Sequence, residues 1–191
     1  NKKTISLLGL LFFLIQASLL GWICRGGYGQ SVGNFFLFDA AGSLFFLLQQ
    51  VVGIFVFVHS AFYLKENTFK EYRLYFALLL LLMTAITGVY FSNNIAVTWI
   101  LLEATTLCAA GIIYHRREAS AVEATWKYVF VCSTGIAMAY LGILLLCSVA
   151  EGGTIDYPSL GERLTQGNPL FLKIAFLLVL SGYSCKMEIF P

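Results

Sequence analysis

Residues Leu74–Leu102 read LYFALLLLLMTAITGVYFSNNIAVTWILL and carry no charged side chain. A membrane-spanning helix needs about 20 mostly apolar residues. This run is too long for one span, so something must divide it. Ser92-Asn93-Asn94 supplies the turn chemistry that does so. The run therefore reads as the span Leu74–Phe91 followed by the span Ile95–Tyr114, and the second carries one acidic residue, Glu103, near its middle.

Four further apolar segments lie on either side: Thr4–Cys24, Ala40–Leu64, Tyr128–Ala150 and Pro169–Pro191. The pattern predicts an all-α fold, a polytopic membrane helix bundle of about six transmembrane helices. Composition agrees. Of 191 residues, 59% are hydrophobic and 12% charged, with a mean hydropathy of +0.82. Soluble domains run at roughly 45–50% apolar and about 25% charged. A soluble globule, a disordered chain, a collagen and a disulfide-stapled secreted fold are excluded. Lys2-Lys3 before Thr4–Cys24 superficially resembles a signal peptide, but the uncharged run is too long and lacks an A-x-A site. The chain opens on Asn1 rather than Met and stops at Pro191 directly after an apolar run, which reads as an internal piece of a longer protein.

The net charge is +2 and no basic cluster is interleaved with aromatic residues, so no nucleic-acid partner is expected. Cys24, Cys108, Cys132, Cys147 and Cys185 form neither CxxC nor a Cys/His metal spacing. They read as small core residues, and no metal or other cofactor is expected.

The linkers Arg25–Phe38 and Glu151–Asn168 are rich in Gly, Ser, Asn and Thr and read as two long loops, whereas Tyr63–Arg73 and His115–Lys127 read as short charged connections. On one side fall Lys2, Lys3, Lys65, Lys70, Arg73, Arg116, Arg117 and Lys127; on the other fall Arg25, Arg163 and Lys173. This asymmetry places the amino terminus in the cytoplasm, in a multi-pass protein of the cytoplasmic (inner) membrane. Asp39 suits the start of the second span. Gly135, Ala139 and Gly142 form a small-residue stripe on the fifth, which reads as close helix packing rather than transport.

Glu103 carries the sharpest chemical signal. An acidic residue at a helix centre costs about 2.5–3.5 kcal/mol on insertion scales, and the default reading of such a group is functional. The structural alternative is a hydrogen bond that only holds two helices together. Lys186 follows the uncharged run Ile174–Cys185. Its structural alternative is a helix-end lysine that snorkels to the interface. Pro191 would bend a helix that continued past it, and broken helices at membrane depth line protein or water-filled cavities. Burial disfavours the charged form of either group, and each favours the other's charge when they are close, so their protonation is coupled. Glu123 and Lys127, at i, i+4, share one helix face. They read equally as an interfacial salt bridge or as guards of a proton entrance. His59, near the end of the second span, reads as an interhelical hydrogen-bond donor or as a proton relay.

The runs WILLEATTL (Trp99–Leu107) and EATWKYVFVC (Glu123–Cys132) resemble the antiporter-like membrane subunits. Respiratory complex I, the multisubunit Mrp cation/proton antiporters and membrane-bound hydrogenases share these subunits. GYSCKMEIFP (Gly182–Pro191) is similar to the broken helix of that family, where a lysine precedes a proline. The wording is most similar to component F of the hydrogenase-4 type, in the formate hydrogenlyase group. The resemblance covers nearly the whole chain and is weaker before residue 60. It implies a fold of about fourteen helices with two inverted repeats, each carrying a half-channel. The chain would match the second to seventh helices and lack the first helix and the C-terminal half. Glu103 then matches the fifth-helix glutamate, Lys186 the seventh-helix lysine of the proton path, and Lys127 a lysine at the start of the sixth helix. Glu188 departs from the pattern, which has a small or apolar residue there.

The expected function is proton translocation through a buried Glu–Lys pair in an ion-pumping oxidoreductase of hydrogenase-4/formate hydrogenlyase or complex I-like type. Partners would be other membrane subunits, the lipid bilayer and a peripheral hydrogenase or quinone-reductase arm that holds the redox centres. The main rival is a Mrp-type sodium/proton antiporter subunit. A membrane scaffold with a decayed channel is a third reading. An intramembrane protease is a poor fourth, because GxSxG and HExxH are missing.

Overall fold

The break in the uncharged run is built by Asn94. Its side-chain oxygen accepts from Ala96 N at 3.1 Å and Val97 N at 3.2 Å, satisfying two backbone donors that a helix start leaves open. A computed structural model describes residues 2–115, 117–149, 155–164, 168–187 and 189. In chain order it contains α1 (Lys2–Trp22), a π-helical turn (Ile23–Gly27), β1 (Ser31–Val32), β2 (Phe36–Leu37), α2 (Ala40–Tyr63), α3 (Phe69–Phe91), α4 (Ile95–Tyr114), α5 (Ala119–Val149), α6 (Tyr157–Leu164) and α7 (Pro169–Lys186). Among the described residues six helices, α1 to α5 and α7, are long and apolar enough to cross a membrane. Asp39 caps α2 by accepting from Gly42 N at 2.9 Å, and Asn168 caps α7 by accepting from Leu170 N at 3.0 Å.

Two helices begin earlier than the charge pattern suggests. α3 starts at Phe69, behind a capping box in which Thr68 N donates to the Glu71 carboxylate at 3.2 Å and Glu71 N donates to Thr68 Oγ1. α5 starts at Ala119 and runs 31 residues. That is about 46 Å of helix against an apolar bilayer core of about 30 Å. Lys70, Arg73, Glu123 and Lys127 are therefore helical residues rather than loop residues. Charge marks where the membrane ends, and a helix can continue into water beyond it.

The two long connections also carry structure. The first folds into the antiparallel pair β1–β2, entered where Gly26 takes φ 145°, a conformation open to glycine. The second contains α6. Backbone hydrogen bonds lace them to the α3–α4 turn: Asn93 N donates to Phe35 O at 2.7 Å, Tyr157 N to Asn93 O at 3.1 Å, and Ile95 N to Ile155 O at 3.0 Å. At the opposite, basic end, Lys2 Nζ donates to Lys65 O at 2.7 Å and Asn67 O at 2.6 Å.

Aromatic residues fill the interior between α1, α2 and α3, with Phe13, Phe57 and Phe76 buried. Ile95, Ile143 and Leu160 join α4, α5 and α6. The outside is apolar as well: Phe62 is 75% exposed and Phe55 72%. Such a surface belongs in lipid or against other apolar surfaces. The chain is a multi-pass membrane protein.

Candidate functional site

Glu103 and Thr106 stand one turn apart on α4 and so share a face. α5 runs antiparallel to α4 and brings Ser133 opposite, where its Oγ donates to Glu103 Oε1 at 3.4 Å. Two contacts fix this register. Trp99 Nε1 donates to Ile136 O at 3.0 Å, and the Trp99 ring lies 4.7 Å from Tyr140. Glu103 Oε2 is buried and has no hydrogen-bond partner.

α7 reaches this face because α5 lets it come close. A Cβ added to Gly135 would fall 2.6 Å from Cys185 Cβ, and one added to Gly182 would fall 2.5 Å from both Ala139 N and Gly135 O. The small-residue stripe Gly135, Ala139, Gly142 is thus the seat of α7. At the end of α7, Lys186 Nζ donates to Thr106 Oγ1, whose side chain is fully buried. The Thr106 hydroxyl donates in turn to Leu102 O at 3.2 Å, leaving its lone pairs for the ammonium. Among the described residues Glu103 and Lys186 form no direct ion pair. They are joined through one turn of α4.

Lys186 also lines an open cleft of about 390 Å³, together with Leu102, Thr105 and Tyr128. One turn back along α7, the Tyr183 hydroxyl is buried without a hydrogen-bond partner among the described residues. Tyr157 Oη lies 2.8 Å from Thr98 Oγ1, which is 3.0 Å from Ser92 Oγ. Tyr157, Thr98 and Ser92 thus form a hydroxyl cluster at the laced end of the bundle. Tyr157 lies outside the spans; burial raises its phenol above the ordinary range, partly offset by the Thr98 hydrogen bond, so it stays a neutral hydroxyl.

The other sequence candidates lie elsewhere. Glu123 and Lys127 pair at 2.5 Å with side chains 67% and 72% exposed, a geometry worth about 0–1 kcal/mol. They sit more than a turn of α5 before Ser133. His59 is exposed on α2, its ring 6.2 Å from Tyr63, on a different helix from Glu103 and Lys186. Glu188 and Pro191 lie outside the described residues. Thr106, Ser133 and Tyr183 are residues of this site that sequence reasoning misses. Thr106 had a signal, the i, i+3 spacing from Glu103; the other two are recruited by tertiary packing and carry none.

No family model matches the chain. It is 26% identical over 171 residues to a hydrogenase-4 component F homolog of Methylacidiphilum infernorum (isolate V4), covering 83% of this chain and 36% of that protein. It is 29% identical over 161 residues to Na(+)/H(+) antiporter subunit A1 of Staphylococcus aureus (strain JH9), covering 83% of this chain and 20% of that protein. The chain thus spans about a third and a fifth of the lengths of these relatives. The fold matches a chain of the membrane-bound sulfane sulfur reductase, an archaeal respiratory membrane complex, with a TM-score of 0.81 at 22% identity, over 96% of this chain and 38% of that one. Both relatives align over 83% of this chain, and the sulfane sulfur reductase chain shares its fold; the chain is similar to antiporter-like membrane subunits.

Proposed function

We propose that this chain carries part of a proton path in an ion-pumping oxidoreductase complex of hydrogenase-4/formate hydrogenlyase or complex I-like type. Lys186 holds the travelling proton, and Glu103 governs when it is held. One observation supports this most: Glu103 Oε2 is buried without a partner while Thr106, one turn on, holds Lys186. A carboxylate that only joined helices would have both oxygens satisfied, since buried polar atoms nearly always are. An orphan carboxylate oxygen in an apolar interior is costly and is where a proton or a water settles.

In this reading the amino terminus faces the cytoplasm, the membrane is the cytoplasmic one, and a peripheral redox arm supplies the energy. The test is proton uptake into vesicles carrying the full-length parent complex, with electron transfer followed in the same sample. Glu103→Gln keeps the size and removes the ionisation. It is expected to cut the proton gradient several-fold while electron transfer persists. If neither changes, Glu103 is a packing contact and the chain is membrane scaffold.

Tyr183→Phe removes only the unpartnered hydroxyl. If protons leave Lys186 toward Tyr157, uptake falls about threefold, with assembly unchanged because no hydrogen bond among the described residues is lost. Unchanged uptake would exclude that route.

A second reading, a Mrp-type sodium/proton antiporter subunit, is supported by the likeness to antiporter subunit A1. It predicts sodium-dependent proton movement without any electron donor, measured in the same vesicles.

A further inference from the structure

The basic end holds a second arrangement, remote from Glu103. An open cleft of about 450 Å³ lies between the first turns of α3 and the end of α4. Lys70, Arg73 and Arg117 line it, and Glu71 is the acidic residue of its lining. The Glu71 carboxylate is engaged by Thr68 N in the capping box. None of the three cations has an ion-pair partner among the described residues. Arg117 stands at φ 55°, a backbone conformation that glycine takes freely and other residues rarely. What arginine adds at that position is a cation at the mouth of the cleft.

His115 completes the lining. Its Nδ1 lies 2.8 Å from Ile112 O, a contact that makes Nδ1 the protonated nitrogen. Its Nε2 is buried and has no partner. With Nδ1 carrying the proton, that atom is a free hydrogen-bond acceptor. Below the cations, the wall is apolar: Leu74 and Ala77 belong to α3 at the point where it enters its uncharged run. The cleft therefore grades from cationic rim to hydrocarbon wall along a membrane-spanning helix. A free inorganic anion would use only the rim. An amphiphile uses both.

We propose that this cleft binds the phosphate of an anionic phospholipid, with Lys70, Arg73 and Arg117 around the phosphate and Leu74 and Ala77 against the glycerol and first acyl carbons. Basic pockets between membrane helices are suited to lipid headgroups of this kind, and each cation contributes about fivefold in affinity. The proposal is independent of the proton path and stands or falls without it.

The experiment uses the full-length parent complex in nanodiscs of phosphatidylcholine doped with phosphatidylglycerol. After detergent extraction and washing, the retained lipid per complex is measured by mass spectrometry. Wild type is expected to retain phosphatidylglycerol over phosphatidylcholine. Arg73→Gln should lower that retention about fivefold, and Arg73→Gln with Arg117→Gln about 25-fold. Those variants also alter the charge that orients the helices. Ala77→Trp fills the apolar wall and leaves every charge in place, and it too should displace the lipid. Equal retention of both lipids, or retention unchanged in the double variant or in Ala77→Trp, overturns the proposal. Excess inorganic phosphate should not release the lipid; release would assign the cleft to a free phosphate instead.

Discussion

Replacing Lys186 by leucine in the full-length parent complex is expected to bring proton uptake down to the passive leak, at least tenfold below wild type, with the complex still assembled. The side chain donates to Thr106 Oγ1 and lines the cleft beside Leu102 and Tyr128. Leucine fills a similar volume and removes a charge that is expensive to hold in an apolar interior. Thr106 keeps its own hydrogen bond to Leu102 O, so the substitution leaves no new unsatisfied donor. Stability should be kept or rise, and any loss of pumping then reports the missing proton carrier rather than a damaged fold. Lys186→Arg separates charge from proton exchange. Arginine stays protonated at all working pH values, so it restores the positive charge but cannot release a proton. Uptake should stay low in both variants. Wild-type pumping by the leucine variant would make Lys186 a helix-end group and end the proton-path reading. Recovery by arginine alone would make its charge, not its proton, the functional element.

The parts of this fold legible in sequence are those set by local chemistry. The Ser92–Asn94 break, the Asp39 cap and the membrane spans follow from short-range rules about apolar length and helix starts. The true starts of α3 and α5 were hidden by an equally local rule used too broadly. Charge suggests a loop there, although Thr68 and Glu71 spell a capping box before α3. In α5, Glu123 and Lys127 are at home on a solvated helix surface. The hairpin β1–β2 and helix α6 exist because backbone groups of three separate connections satisfy one another, and no single segment announces that. The site divides in the same way. Glu103 and Lys186 were visible as charges in apolar runs. Their relation was not: Lys186 meets Thr106 rather than Glu103 itself, and that depends on how closely α7 approaches α5.

Gly182→Ala tests that approach, and it is expected to destabilise the α5–α7 pair by about 1–3 kcal/mol despite the better helix propensity of alanine. The new Cβ would sit 2.5 Å from Ala139 N and from Gly135 O and 2.7 Å from Ala139 Cβ. The first two obstacles are backbone, so no side-chain rotation relieves the clash. α7 has to move away from α5, and Lys186 lies one turn further along the displaced helix. Gly182→Leu enlarges the same clash and should prevent assembly of the complex. The control is Gly161→Ala, on the short α6, where an added Cβ meets nothing within 4 Å. There the propensity gain acts alone, and the variant should be neutral or up to about 1 kcal/mol more stable. Thermal melts of the purified complex distinguish the two substitutions, since they add the same methyl group. A drop for Gly182→Ala with no drop for Gly161→Ala assigns the cost to helix approach rather than to loss of glycine as such. In that case proton uptake should fall with Gly182→Ala although no ionisable group has changed, because the Thr106–Lys186 contact is held in place by the glycine seat on α5. Equal melting temperatures would mean that α7 can shift without penalty, and that Lys186 is positioned by its own hydrogen bond alone.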